Sequence, residues 1–148
     1  MKKLLTSVVL VSCCALLSAC SVNAVKAPEE AAKPVVLEGT SWMMQVPAEA
    51  ECAVTPMLEF GPNNTVTGDL GCNRASGSFE FDGTNILFDK VATTRKMCGK
   101  KYMALEEQML NMMSGARSVK LTEKGLTFLD ADGKELMTMV PEMAGACN

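Results

Sequence analysis

The chain has 148 residues, 48% apolar and 21% charged, a balance that suits one folded domain and excludes a disordered tail or a coiled coil. It has no histidine, which removes imidazole acid–base catalysis, Ser–His and Cys–His nucleophile pairs and every His metal ligand. The 14 basic and 17 acidic side chains give a formal charge of −3, with no basic stripe of the size that nucleic acid needs.

Met1-Lys2-Lys3 is a short positive segment, and an apolar run from Leu4 to Leu17 follows it, broken only by Thr6, Ser7 and Ser12. That is the length of a signal-peptide core and short of the ~20 apolar residues a spanning helix needs. Leu17-Ser18-Ala19-Cys20 then resembles the lipobox of bacterial lipoproteins. The resemblance implies that residues 1–19 are removed and that the Cys20 thiol takes a diacylglyceryl group, leaving 12 basic and 17 acidic side chains, or −5. Ser21 in place of Asp resembles an outer-membrane address in Gram-negative sorting, on the periplasmic face. In a Gram-positive cell the anchor would sit in the plasma membrane. Each buried methylene of such an anchor is worth ~0.8 kcal/mol.

Residues 20–34 are polar and rich in Ala, Pro, Glu and Lys, without periodic apolar positions, and read as a flexible tether. The folded domain is expected over residues 35–143, with 144–148 as a tail. Ser41 to Val46, holding the one tryptophan Trp42, reads as a strand. Pro56 to Phe60 and Thr65 to Leu70 flank the turn Gly61-Pro62-Asn63-Asn64 and read as a hairpin. Gly77 to Asp82 alternates Phe79 and Phe81 with polar residues, and Ile86 to Phe88 begins a further strand after Asp82-Gly83-Thr84-Asn85. Lys101 to Ser114 places Tyr102, Leu105, Met109, Met112 and Met113 at helical spacing, with Glu106, Glu107 and Asn111 assigned to the solvated side and Gly115 as the stop. Two more hairpin signals turn at Glu123-Lys124-Gly125 and Asp130-Ala131-Asp132-Gly133, and Pro141 ends the last strand. No internal repeat is visible.

The order predicts a mainly β, α+β domain. Its expected form is a small, strongly curved antiparallel sheet or partly open barrel of about 7–8 short strands with one helix packed over it. With 5% aromatics and 12 methionines, Met, Leu and Val must fill its core. Of the 7 cysteines, Cys13 and Cys14 leave with the signal and Cys20 carries lipid. Cys52, Cys72, Cys98 and Cys147 remain, an even set that reads as two disulfides with three possible pairings. A Cys52–Cys147 bridge would fasten the tail. No C-x-x-C occurs, so a zinc or thioredoxin-like site is not expected.

Gly71-Cys72-Asn73-Arg74, then Gly77, then Thr94-Arg95-Lys96-Met97-Cys98 before a helix, together with Gly39-Thr40-Ser41-Trp42, resemble the META domain, and more narrowly the HslJ-type heat-inducible bacterial lipoproteins. The resemblance covers about residues 37–140. It implies a Cys72–Cys98 disulfide and a structural role for Gly71, Cys72, Asn73, Arg74, Gly77, Thr94, Met97 and Cys98, while Cys52 and Cys147 fall outside the shared pattern. Arg74 and Arg95 are assigned to loop carbonyls or to a carboxylate such as Asp69 or Asp89. Lys90, Arg95, Lys96, Lys100 and Lys101 form a basic cluster, read as a solvated face or a contact for anionic head groups.

The expected function is non-enzymatic, with no catalytic residue, cofactor or metal assigned. What the resemblance implies is a role in envelope stress tolerance or resistance to hydrophobic antibiotics, exerted by binding a partner protein or hydrophobic segment. The alternatives are a periplasmic protease inhibitor and a carrier of an acyl chain or other hydrophobic ligand. The expected partners are the membrane, through the N-terminal lipid, and an envelope protein or hydrophobic ligand, with the chain itself a monomer.

Overall fold

The computed structural model describes residues 35–45 and 55–142. The expected signal peptide (1–19), Cys20 and the expected tether (20–34), as well as Cys52, Cys147 and residues 143–148, lie outside the described residues.

Eight strands and one helix follow one another: β1 (Thr40–Met44), β2 (Met57–Phe60), β3 (Thr65–Asp69), β4 (Arg74–Phe81), β5 (Ile86–Thr93), α1 (Lys100–Gly115), β6 (Ser118–Thr122), β7 (Gly125–Leu129) and β8 (Glu135–Pro141). They form one antiparallel sheet in the order β5-β4-β3-β2-β1-β8-β7-β6. Two meanders, β1–β5 and β6–β8, are thus sewn together where β8 pairs with β1. The sheet curls into a half-barrel whose two edges meet at one end only. There Asn85 bridges Ser118, the Val119 N–H donates to the Thr84 carbonyl (2.8 Å) and the Ile86 N–H donates to the Arg117 carbonyl (3.0 Å). This is the expected curved sheet with one helix.

Alternation sets the inner face. Leu58 and Phe60 of β2, Val66 of β3, Phe79 of β4 and Phe128 of β7 are buried, while Glu59, Thr65 and Thr67 between them face out. Phe60 meets Phe79 edge-to-face at 5.0 Å, and Phe88 of β5 reaches Phe128 of β7 at 6.1 Å. β5 and β7 are far apart in strand order, so this contact records how far the sheet has curled. The helix closes the shell with Met109, Met112 and Met113, all buried. Burying each such side chain is worth about 1.5–3 kcal/mol, and the flexible thioethers fit the irregular gap between helix and sheet.

The strands depart from the sequence reading at their ends. β4 starts three residues before Gly77, at Arg74, because Gly77 sits inside the strand at a register shift between Ser76 and Ser78. A glycine signals a bulge as readily as a turn. β5 continues past Phe88 to Thr93 although its charged centre, Asp89-Lys90, masks the pattern, and Lys90 lies at φ +52°. β1 ends at Met44, and Val46 is outside the described residues. β8 does end at Pro141, as expected: Pro141 lies opposite Trp42 and, lacking an N–H, forms the last rung of the ladder.

Gly125 opens β7 at φ +129°, where a Cβ would run into the Met139 carbonyl oxygen of β8. Gly125→Ala is expected to destabilise the fold by more than about 2 kcal/mol, read from the denaturant midpoint. The β4–β5 turn has a different lock. Asp82 accepts hydrogen bonds from the Asn85 side-chain amide (2.8 Å), the Asn85 N–H (2.7 Å) and the Thr84 N–H (3.0 Å). These donors, the Asn85 amide foremost, hold its carboxyl below the usual 3.8. A depressed carboxylate contributes stability above its ordinary value and loses it as pH falls through the folded value. The stability gap between the native chain and Asp82→Ala, measured by urea unfolding across pH, is therefore expected to be widest near neutrality and to close in strong acid.

Candidate functional site

The loop from β3 to β4 begins with Asp69, whose carboxylate accepts the Gly71 N–H at 2.9 Å. Gly71 turns at φ +111° and comes so close to α1 that a Cβ would lie 3.0 Å from that of Leu105. Only glycine satisfies both demands. The Leu70 N–H then closes on the Asn73 carbonyl at 2.9 Å.

Asn73, 3% exposed, spends its whole amide on neighbours. Its Oδ1 accepts the Thr94 hydroxyl (2.7 Å) and the Lys96 N–H (2.7 Å). Its Nδ2 donates to the Lys96 carbonyl (3.2 Å) and to Glu106 Oε2 (2.9 Å). Thr94 Oγ1 in turn accepts the Arg74 N–H at 3.2 Å, and the Thr94 N–H donates to the Arg74 carbonyl at 3.0 Å. Beside this hub Cys72 and Cys98 are disulfide-bonded, with Cα atoms 5.8 Å apart. The loop after β3, the segment after β5 and the helix are thereby tied at one point.

Glu106 corrects the sequence reading. It is buried, 7% exposed, and faces Asn73 rather than solvent, whereas Glu107 is exposed. Helical periodicity alone favours an apolar residue there, and only a buried amide one loop away marks the exception. Tyr102 and Leu105 are half-buried. Arg74 and Arg95 are exposed, and neither guanidinium has a hydrogen-bond or carboxylate partner among the described residues, contrary to the expectation of Asp69 or Asp89. Asp69 is turned to Gly71, and Asp89 lies 3.5 Å from Lys90. Met97 is exposed, so it is not part of the packed core.

The motif therefore divides. Gly71, Cys72, Asn73 and Cys98 are architectural, and Gly77 sits at the β4 bulge. Arg74 and Thr94 also line an open cleft of about 570 Å³ on the outer face of β2–β5. Gly68 and Ala92 also line it, alongside Glu59 and Asp69. Further hollows flank α1, one lined by Met97, Met103 and Leu110 and one by Phe88, Val91 and Met113. All three open to solvent, while the shell interior is filled by Phe60, Phe128, Leu58, Met109 and Met139.

A model of one family, the META domain, matches residues 35–142. The NMR structure of a protein from Burkholderia xenovorans is similar at TM-score 0.59 and 19% identity, covering 72% of this chain and 84% of that one. A second NMR structure is similar at TM-score 0.57 and 24% identity, over 78% and 98% of the two chains. These likenesses show the fold. No curated protein matches the chain significantly.

Removing the Asn73 amide strands the Lys96 N–H and the Glu106 carboxylate in a buried site. Asn73→Ala is expected to cost about 2–4 kcal/mol with the disulfide intact. Reduction of the disulfide, which closes a loop of 26 residues, is expected to cost about 3–4 kcal/mol in the native-sequence chain. Denaturant unfolding with and without reductant separates the two.

Proposed function

This chain belongs to the META domain family, and on that footing we propose that it is a non-enzymatic, lipid-anchored envelope protein of the HslJ type. It supports envelope stress tolerance, or resistance to hydrophobic antibiotics, by holding an extended segment of a partner protein. Cys20 carries the lipid and the outer membrane holds the anchor on its periplasmic face.

One observation carries the binding reading. The cleft on the outer face of β2–β5 is open along its length and has Arg74, unpartnered among the described residues, on its wall. Its size lies within the range of ligand sites, but its openness suits a chain segment laid across it better than a small molecule engulfed. The Arg74 guanidinium, without a partner among the described residues, shares the cleft wall with Glu59 and Asp69 and is ready to take a carboxylate or a carbonyl from that segment. Small residues, Gly68, Ala75, Ser76 and Ala92, leave room for its backbone.

Labelling with radioactive palmitate is expected to mark the native chain and not Cys20→Ser. A photo-crosslinking residue at Ser76 is expected to trap an envelope protein in living cells, and one at Lys124 is not. Arg74→Glu is expected to reduce the trapped species about tenfold or more and to lower survival of envelope stress to that of the deletion strain. Equal trapping at both positions, with deletion leaving survival unchanged, would sink the reading.

A further inference from the structure

A second surface lies between β5 and α1. Residues 94–105 hold four cations, Arg95, Lys96, Lys100 and Lys101, and no acid, in a chain of formal charge −3. All four are exposed. Among them Met97 stands 90% exposed, the barest large apolar side chain of the described residues. It stays out because both its neighbours are fixed. Lys96 is gripped through its N–H and its carbonyl by Asn73, and Cys98 is bonded to Cys72. A free loop would fold such a side chain back onto the shallow hollow it borders, where Met103 and Leu110 lie. Of the two acids lining that hollow, Glu106 turns its carboxylate inward to Asn73 and Glu107 alone is exposed. The first turn of α1 carries no acid, so the positive end of the helix adds to the field.

The geometry points to an anionic phospholipid bilayer as the occupant of this surface. A fixed apolar tip flanked along the chain by cations on both sides meets such a bilayer with its thioether at the acyl boundary and its cations at the head-group phosphates. Charge complementarity makes the case, since these four exposed cations stand together without an acid in a chain whose formal charge is −3. On the anchored reading, only the 15 residues from Cys20 to Pro34 separate the lipid from the domain, which keeps this surface near its own membrane. That last step rests on the anchored reading; the charge argument does not.

The test uses the chain from residue 20 onward with Cys20→Ser, which carries no lipid, sedimented with vesicles of phosphatidylglycerol or of phosphatidylcholine. Binding is expected to be about tenfold or more tighter on phosphatidylglycerol and to fall as salt rises. Lys100→Glu with Lys101→Glu is expected to abolish the difference. Those acids enter the first turn of α1, where the helix dipole favours them, so loss of binding would not reflect unfolding. Met97→Ser is expected to weaken binding with the salt dependence kept. In the lipid-bearing chain, Met97 is expected to oxidise several-fold more slowly on phosphatidylglycerol vesicles than on phosphatidylcholine. Equal binding to both vesicles overturns the proposal, as does binding indifferent to the lysine changes. Binding of polyglutamate without vesicle binding also overturns it and assigns the patch to an acidic protein. Because the sedimented chain has no lipid, its failure leaves the palmitate result untouched.

Discussion

A carboxamide offers two donors and two acceptors, and Asn73 has all four engaged inside the protein. No solvent-facing residue could be asked to do this, because water would compete for each position. The consequence is that three pieces of chain distant in sequence share one fixed point. The turn after β3 is pinned, the segment leaving β5 is held by its backbone, and α1 is set at a defined height by Glu106. The neighbouring Cys72–Cys98 bond acts on the same pieces by another route. It restricts the unfolded chain, whereas the amide favours the native one directly. The two ties are therefore not duplicates, and neither makes the other dispensable.

Much of the shell was legible from residue pattern. Phe79 and Phe81 alternating with acids, the Asn63-Asn64 and Asp82-Gly83 turns, and Met109, Met112 and Met113 at helical spacing each mark an element that is present. The misreadings have physical causes. Gly77 looks like an interruption, but in a curled sheet a bulge is where curvature is made. Asp89 and Lys90 hide the second half of β5, since an edge strand tolerates charge that a central strand would not. Glu106 hides better still. Its neighbour Glu107 is solvated, and nothing local distinguishes them; the difference lies in an amide 33 positions away.

The candidate site shows the same limit. Gly71, Cys72, Asn73, Arg74 and Thr94 stand out as a group in the sequence, yet the group contains two populations. One faces inward and holds the loop; the other faces outward onto the cleft. Strand alternation separates Asn73 from Arg74 by a single step along the backbone. Architecture and the proposed contact surface are thus adjacent, and the anchoring of the inner members fixes where the outer ones point. Met97 follows the same logic on the opposite side of the knot, displayed because its neighbours cannot move.

The last strand made is the one in the middle. β8 lies between β1 and β7, so the first and final described strands are hydrogen-bonded partners. Until residues 135–141 are available, the sheet lacks the strand that pairs β1 with β7, leaving one part of five strands and one of two hydrogen-bonded to each other only at the Asn85–Ser118 end. Such closure demands contacts between the far ends of the chain, which slows folding relative to helix-rich domains of equal size. A polypeptide emerging N-terminus first therefore cannot complete this domain until residues 135–141 have emerged. A product truncated before residue 135 is left with β1 and β7 as raw edges for the cell's proteases to find.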